Sequence, residues 1–359
     1  MAAKRTKPVS RVAVLKGGRS LERGVSLRSG ARVEDALQRL GHDVVPIDAG
    51  ADLVQRLREV APDAAFIALH GRDGEDGTVQ ELLEILGIAY TGAGVSACIR
   101  CADKVIAKHV MRDAGIPTPD FFAFNETAFA ELGAGAALPT IEERLAFPIV
   151  VKPAGQGSAL GIKFARTPAD VPAALVAAFS YDRKVLLERH VSGRDLAVSV
   201  IDAPDGSGPV ALPVVEAVPR QENFYDFESR YEIGRTTFVC PAELSEAATH
   251  RAQELALDTY RALGCSGFAR IDLMLEHQAD GGPRGPILGS AERGDPDERD
   301  GGGVYVLEAE IVPGLTETSL LPLAADAAAI DFEELIERML ASATLRERGR
   351  AVAAPSSPG

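Results

Sequence analysis

No stretch of the 359 residues approaches the ~18–20 consecutive apolar positions that would span a bilayer. Met1 to Ser10 is basic, but it passes straight into a short strand without the apolar core of a secretory signal, so the expected location is the cytoplasm. Basic charge is scarce as well. Lys and Arg number 38 against 52 Asp and Glu, a net charge of −14. Phosphate-backbone binding strengthens with each cation, so this balance argues against a nucleic-acid partner. A locally basic ATP site on an acidic protein remains compatible with it. Cysteines are few, and Cys98 and Cys101 form a lone Cys-x-x-Cys. Cys240 and Cys265 do not supply the second pair that a structural zinc site wants. A redox pair or two small buried hydrophobes are the readings left.

Two familiar nucleotide signatures are also missing. There is no G-x-x-x-x-G-K-[ST], which excludes a P-loop. Gly92-Ala-Gly94-Val-Ser-Ala97 fits G-x-G-x-x-A, but no acidic residue in an adjoining βαβ unit sits about twenty residues on, as dinucleotide binding expects. A turn into a helix explains it equally well.

What is present is ordinary globular material, 46% apolar and 25% charged, long enough for roughly two or three domains. The first hundred residues alternate strands (Arg11–Leu15, Val44–Ile47, Ala65–Leu69) with helices (Val25–Leu40, Leu53–Val60). That βαβαβ order implies a parallel sheet whose ligands sit beyond the carboxyl ends of strands, after Leu15 and Leu69. A helix over Asp103–Ala114 leads to a junction at Pro117 and Pro119. Short strands follow at Pro148–Pro153, Ile162–Phe164, Val185–Glu188, Leu196–Ile201 and Val210–Val215. After a helix at Glu246–Leu263, strands Gly267–Leu275 and Val304–Glu308 flank a Gly/Asp/Arg/Pro-rich insertion, 278–303. Leu320 to Leu345 reads as helix, and 347–359 as a disordered tail.

Three constellations carry chemistry. In Val150-Val-Lys152-Pro-Ala-Gly155-Gln-Gly157-Ser158-Ala-Leu-Gly161, glycines let backbone N–H groups converge on phosphate while a lysine supplies a cation. A flexible hairpin with a solvated lysine is the plain alternative. In Arg270-Ile-Asp272 and Glu308-Ala-Glu310, alternation along a strand puts the charged residues of each pair on one face. Three carboxylates there are costly unless something neutralises them, as Mg²⁺ on ATP phosphates would; an exposed face balanced by Arg270 is the alternative. Pro313-Gly314-Leu-Thr316-Glu-Thr-Ser319-Leu320 turns into a helix, where a hydroxyl and free N–H groups suit either a carboxylate or a simple N-cap.

Together these pieces resemble the D-alanine–D-alanine ligases of the ATP-grasp superfamily over nearly the whole chain. Further stretches carry the resemblance in order: Gly17-Gly-Arg-Ser-Leu-Glu22, His70-Gly-Arg-Asp-Gly-Glu75-Asp-Gly-Thr78, Tyr90-Thr-Gly, Asp103-Lys104 and Phe224–Tyr231. The resemblance implies an α/β fold, α+β in the C-terminal part. An N-terminal parallel-sheet pre-ATP-grasp domain (1–103) would precede a lid (104–191) and a C-terminal ATP-grasp domain (192–346). It also implies ATP-dependent ligation of two D-alanines through an acyl phosphate, serving peptidoglycan precursors, with ATP as co-substrate, two Mg²⁺ (or Mn²⁺) and a homodimer formed through the N-terminal domain.

Carried over by position, Lys104, Lys152 and the loop from Gly155 through Gly157 would hold the phosphates, with Arg230 nearby. Glu188, Arg189 and Val191 would hold adenine, and Asp195 the ribose. Asp272, Glu308 and Glu310 would hold the metals. Glu22, linked through Ser158 to Tyr231, would bind the first amino acid beside His70. Arg270 and Gly314 would stabilise the oxyanion, and Ser319 and Leu320 would take the second carboxylate. Three positions depart from the family: Glu310 for Asn, Arg230 for Lys, and Thr318 for a common His. They leave room for a ligase with another second substrate, or for a non-catalytic nucleotide-binding homologue.

Overall fold

The computed structural model describes residues 10–219, 236–277 and 302–345. Arg230, Tyr231, the tail and nearly all of the insertion lie outside the described residues.

Strands β1 (Arg11–Lys16), β2 (Asp43–Asp48), β3 (Ala64–Ile67) and β4 (Ala89–Tyr90) form one sheet in the order β2-β1-β3-β4. All its pairings are parallel, as the βαβ pattern requires. Both faces are covered. Ala13, Leu15 and Ile67 enter one core while Val12, Val14 and Phe66 enter another, so these strands read as continuous apolar runs. The crossovers are α1 (Arg23–Arg39), α2 (Leu53–Val60) and α3 (Thr78–Leu86). Helix α1 stops where Gly41 takes φ +88°, a left-handed C′ position that glycine adopts without strain. Next come α4 (Val95–Ala102) and α5 (Lys104–Asp113), divided at Asp103, whose carboxylate accepts from the N–H groups of Val105 and Ile106. Cys98 and Cys101 both sit buried in α4, and Cys101 Sγ faces Cys265 Sγ at 3.9 Å.

A second, antiparallel sheet holds β5 (Phe121–Asn125), β6 (Ile149–Pro153), β7 (Lys163–Ala165) and β8 (Lys184–Arg189) in the order β5-β8-β6-β7. Helix α6 (Glu126–Glu131) follows β5, and α7 (Leu138–Leu145) and α8 (Val171–Phe179) cover one face. Val151 and Leu187 pack there against Ile141, Leu145 and Leu175. Because side chains alternate, the register puts Phe121, Val150, Lys152, Leu186 and Glu188 on the opposite face.

The third sheet runs β12-β11-β9-β13-β14, with β10 also paired to β9. Its strands are β9 (Gly193–Asp202), β10 (Pro209–Ala211), β11 (Val215–Pro219), β12 (Thr236–Val239), β13 (Phe268–Glu276) and β14 (Val304–Glu310). Helices α9 (Glu246–Leu263) and α10 (Leu320–Ala327) pack on it, and α11 (Phe332–Ala341) packs on α1 and α10. Two sequence expectations change. The single strand over Val210–Val215 is two strands, because Pro213 has no N–H for the ladder. The helix over Leu320–Leu345 is two helices: Ala329 turns left-handed at φ +59°, and the Asp331 carboxylate caps a fresh start at the Glu334 N–H. Helix α5 packs on α9 and β14 of the third sheet and also meets the second sheet, where the His109 and Phe121 rings lie 5.2 Å apart.

Candidate active site

The loops after β1 and β3 meet where parallel-sheet topology puts ligand sites. Ser20 Oγ donates to the His70 carbonyl at 2.6 Å. Glu22, at the mouth of α1, is only 4% exposed, and it accepts the Ser158 hydroxyl at 2.5 Å across the loop after β6. A Cβ on Gly157 would come within 2.9 Å of Glu22 Oε1, so the loop approaches this carboxylate closely because residue 157 has no side chain. The expected Glu22–Ser158 contact is therefore present in the fold, while Tyr231 lies outside the described residues. His70 is buried, with ring nitrogens 2.9 Å from the Val312 carbonyl and 3.0 Å from Ser29 Oγ. Burial opposes a charge on this ring, but Glu75, then Glu310 and Glu22, outweigh it and raise its pKa.

Strands β13 and β14 bring the second constellation together. Arg270 faces Glu310 and Asp272 faces Glu308, with a register shift just after Asp272. The Arg270 guanidinium grips Asp272 through two hydrogen bonds, 2.7 and 2.9 Å, and also pairs with Glu310. Glu308 pairs with Lys104 at 2.8 Å. Each expected metal ligand thus has a cation from the chain itself. Ligand atoms of His70, Glu75 and Glu310 lie within 4.8 Å of one another, and sequence reasoning did not single out Glu75 as part of this group. Burial pushes the Glu310 carboxyl up to about 8; Arg270 opposes this, while Glu75, Asp272 and Glu22 add to it.

The lysines converge from two elements. Lys104 on α5 donates to the Gln156 carbonyl at 2.6 Å, tying the glycine loop to β14 through Glu308. Gly155 N–H is held by Asp182 at 2.7 Å. Lys152 pairs with Glu188, which is only 2% exposed, and Lys108 pairs with the same carboxylate at 2.6 Å. Sequence reasoning missed Lys108; its place one turn after Lys104 was the available signal. Arg189 pairs with Glu276 at 2.8 Å and lies over the Tyr305 ring, beside buried Val191. Asp195 stands on β9 opposite Met274.

At the turn into α10, Ser319 Oγ accepts from the Thr316 N–H at 2.9 Å and makes no side-chain cap on the helix. A simple N-cap therefore does not account for this hydroxyl. A Cβ on Gly314 would fall 2.6 Å from Ser319 Oγ, so the turn folds tightly, and Leu320 is buried behind it. Cations, carboxylates and helix-start N–H groups of this kind suit positional and electrostatic catalysis without a protein nucleophile.

Residues 49–93 match the family model for the D-ala D-ala ligase N-terminus, and 110–282 that for the D-ala D-ala ligase C-terminus. The chain is 40% identical over 338 residues to the D-alanine–D-alanine ligase of Syntrophotalea carbinolica, covering 94% of this chain and 97% of that one. With the ligase of that name from Geobacter sulfurreducens it shares 38% identity over 341 residues, 95% and 96% of the two chains. A crystal structure of D-alanine–D-alanine ligase from Bacillus anthracis superposes with a TM-score of 0.73 at 31% identity, covering 92% of this chain and 96% of that one. The same enzyme complexed with ATP gives 0.72 at 30%, over 93% and 97%. Likeness of this extent in sequence and in fold makes the chain a member of the D-alanine–D-alanine ligase family of ATP-dependent ligases.

Proposed function

We propose that this protein joins two D-alanines into D-alanyl-D-alanine at the expense of ATP, in the cytoplasm, for peptidoglycan precursor synthesis. The observation that carries this reading is the buried Glu22–Ser158 hydrogen bond. It links the first-sheet loop to the glycine loop at a buried carboxylate that an amino acid's ammonium would meet.

A carboxylate is a poor acyl donor, so the first D-alanine's oxygen attacks the γ-phosphorus of ATP, ADP leaves, and an acyl phosphate forms. The second amine then attacks the acyl carbon, and inorganic phosphate departs. Glu22 holds the first ammonium, with Ser158 keeping its carboxylate in place and Tyr231 continuing the link. His70 braces the turn that follows β14 through the Val312 carbonyl. Arg270 and the Gly314 N–H meet the oxyanion, and Ser319 with the start of α10 at Leu320 takes the second carboxylate. Lys104, Lys152 and the N–H groups from Gly155 to Gly157 hold the phosphates, with Arg230 beside them. Glu188, Arg189 and Val191 hold adenine, and Asp195 the ribose.

Asp272, Glu308 and Glu310 offer the hard oxygen donors that Mg²⁺ prefers, and Glu310 lies in a pocket where carboxylates outnumber cations. Two Mg²⁺ (or Mn²⁺) held there neutralise phosphate charge when bound. The proposal includes a lid (104–191) between an N-terminal unit (1–103) and a C-terminal unit (192–346). It also includes a homodimer through the N-terminal unit, where Ile85 and Ile99 on neighbouring helices are exposed at 59% and 49%. Thr318 favours a second reading, a ligase of the same chemistry with a different second substrate.

The experiment is dipeptide formation from ATP, Mg²⁺ and single or paired amino acids. D-alanyl-D-alanine as the main product supports the first reading, and a mixed dipeptide supports the second. ATP binding without any product favours a non-catalytic homologue.

A further inference from the structure

Lys108 is wholly buried on α5, and nothing in the reaction described so far uses it. It follows Lys104 by one turn, so both ammonium groups leave the same helix face. Lys104 reaches Glu308 and the glycine loop. Lys108 turns toward the second sheet instead. Its Nζ meets Glu188 Oε2 at 2.6 Å, lies 2.5 Å from Thr118 Oγ1, and stands 5.6 Å from the Phe121 ring centroid. Lys152 reaches the same carboxylate from β6.

Buried lysines are rare, and one kept in a fully covered position is paired. For the carboxylate alone, Lys152 would suffice, so a second ammonium is surplus to its neutralisation. The surplus makes sense if Lys152 is shared with the nucleotide once it binds. Glu188 would then need a counter-ion that does not leave, and Lys108 is fully buried, against Thr118 and near the Phe121 ring. A carboxylate held this way is only an acceptor. It welcomes the exocyclic amino group of adenine and repels the exocyclic carbonyl of guanine.

We propose that Lys108 is a positioning residue that sets nucleotide specificity, fixing the Glu188 carboxylate as an acceptor for a purine that bears its amino group at C6. This inference rests on the assignment of Glu188 to the base under Proposed function.

The test uses the full chain and measures kcat and KM for ATP and for GTP with Mg²⁺ and D-alanine. Four proteins are compared: the unaltered chain, Lys108→Met, Glu188→Gln and the double variant. Lys108→Met should raise KM for ATP about tenfold or more, hold kcat within about threefold, and lower the ATP-to-GTP ratio of kcat/KM. In the Glu188→Gln background the same change should add less than about twofold, since Lys108 acts through that carboxylate. A full tenfold effect in both backgrounds overturns the proposal, and so does an unchanged KM with Lys108→Met beside a raised one with Glu188→Gln. If Glu188→Gln itself leaves KM and nucleotide preference unaltered, the base assignment fails and the inference falls with it. Should Lys108→Met alone fail to fold, Glu188→Gln against the double variant still decides. Equal KM values support the proposal, and a gap above about fivefold contradicts it.

Discussion

Arg270 and Glu310 stand directly opposite each other on β13 and β14, and the guanidinium that bridges Asp272 also pairs with Glu310. The resemblance implies asparagine at this position, which would make Glu310 an added negative charge beside the arginine assigned to the oxyanion. Glu310→Asn should release Arg270 from that pairing. We expect turnover or Mg²⁺ affinity to rise about three- to tenfold, on the order of 1 kcal/mol. A Mg²⁺ titration of ATP-dependent phosphate release reads both, and no change in either contradicts the idea.

Ser158→Ala removes the donor that holds the buried Glu22 carboxylate. With the partner gone, the ammonium site loosens while the nucleotide site is untouched. Steady-state kinetics should show kcat/KM for D-alanine down roughly 10²-fold, with KM for ATP within about threefold. An equal rise in both KM values would instead point to a general disturbance of the loop.

Gly157→Ala tests how closely the loop approaches the site. The added methyl would meet Glu22 Oε1 at 2.9 Å. The variant should keep its melting temperature within about 2 °C, because the clash falls at the cleft rather than in a core. Its kcat should fall at least about tenfold. Intact activity would mean that the loop does not close on Glu22.

Lys108 gives a pH dependence. Burial lowers its pKa to about 8 against the attraction of Glu188, and Lys152 and Arg112 add to the lowering. The group is charged below that value and loses its proton as pH rises through it, so its hold on Glu188 weakens on the alkaline side. KM for ATP should rise several-fold more between about pH 7 and about pH 9 than it does in Lys108→Met, where only the titration of Glu310 near the phosphates is left. A parallel rise in both proteins would assign the titration elsewhere.

Much of this was legible in the residues, for stated reasons. Alternation along single strands placed Glu308 with Glu310 and Arg270 with Asp272, and the βαβ order pointed to the loops after Leu15 and Leu69. Helix boundaries at Leu53–Val60 and Glu246–Leu263 came out as read, and the second is fixed by the Ser245 cap and the left-handed Gly264. What escaped depends on neighbours distant in sequence. Lys108 meets Glu188 80 residues on, and Cys101 lies near Cys265 rather than pairing with Cys98. No local spacing reports either contact. Pro213 and Asp331 were visible breakers, and each outweighed an apolar run that looked continuous.

The central claim is tested most directly by phosphate release from ATP and Mg²⁺, with dipeptide analysis, in the presence of D-alanine, L-alanine or D-lactate. The account predicts release that depends on D-alanine and matches D-alanyl-D-alanine formed, with L-alanine and D-lactate near background. ATP binding without release for any of the three would contradict it.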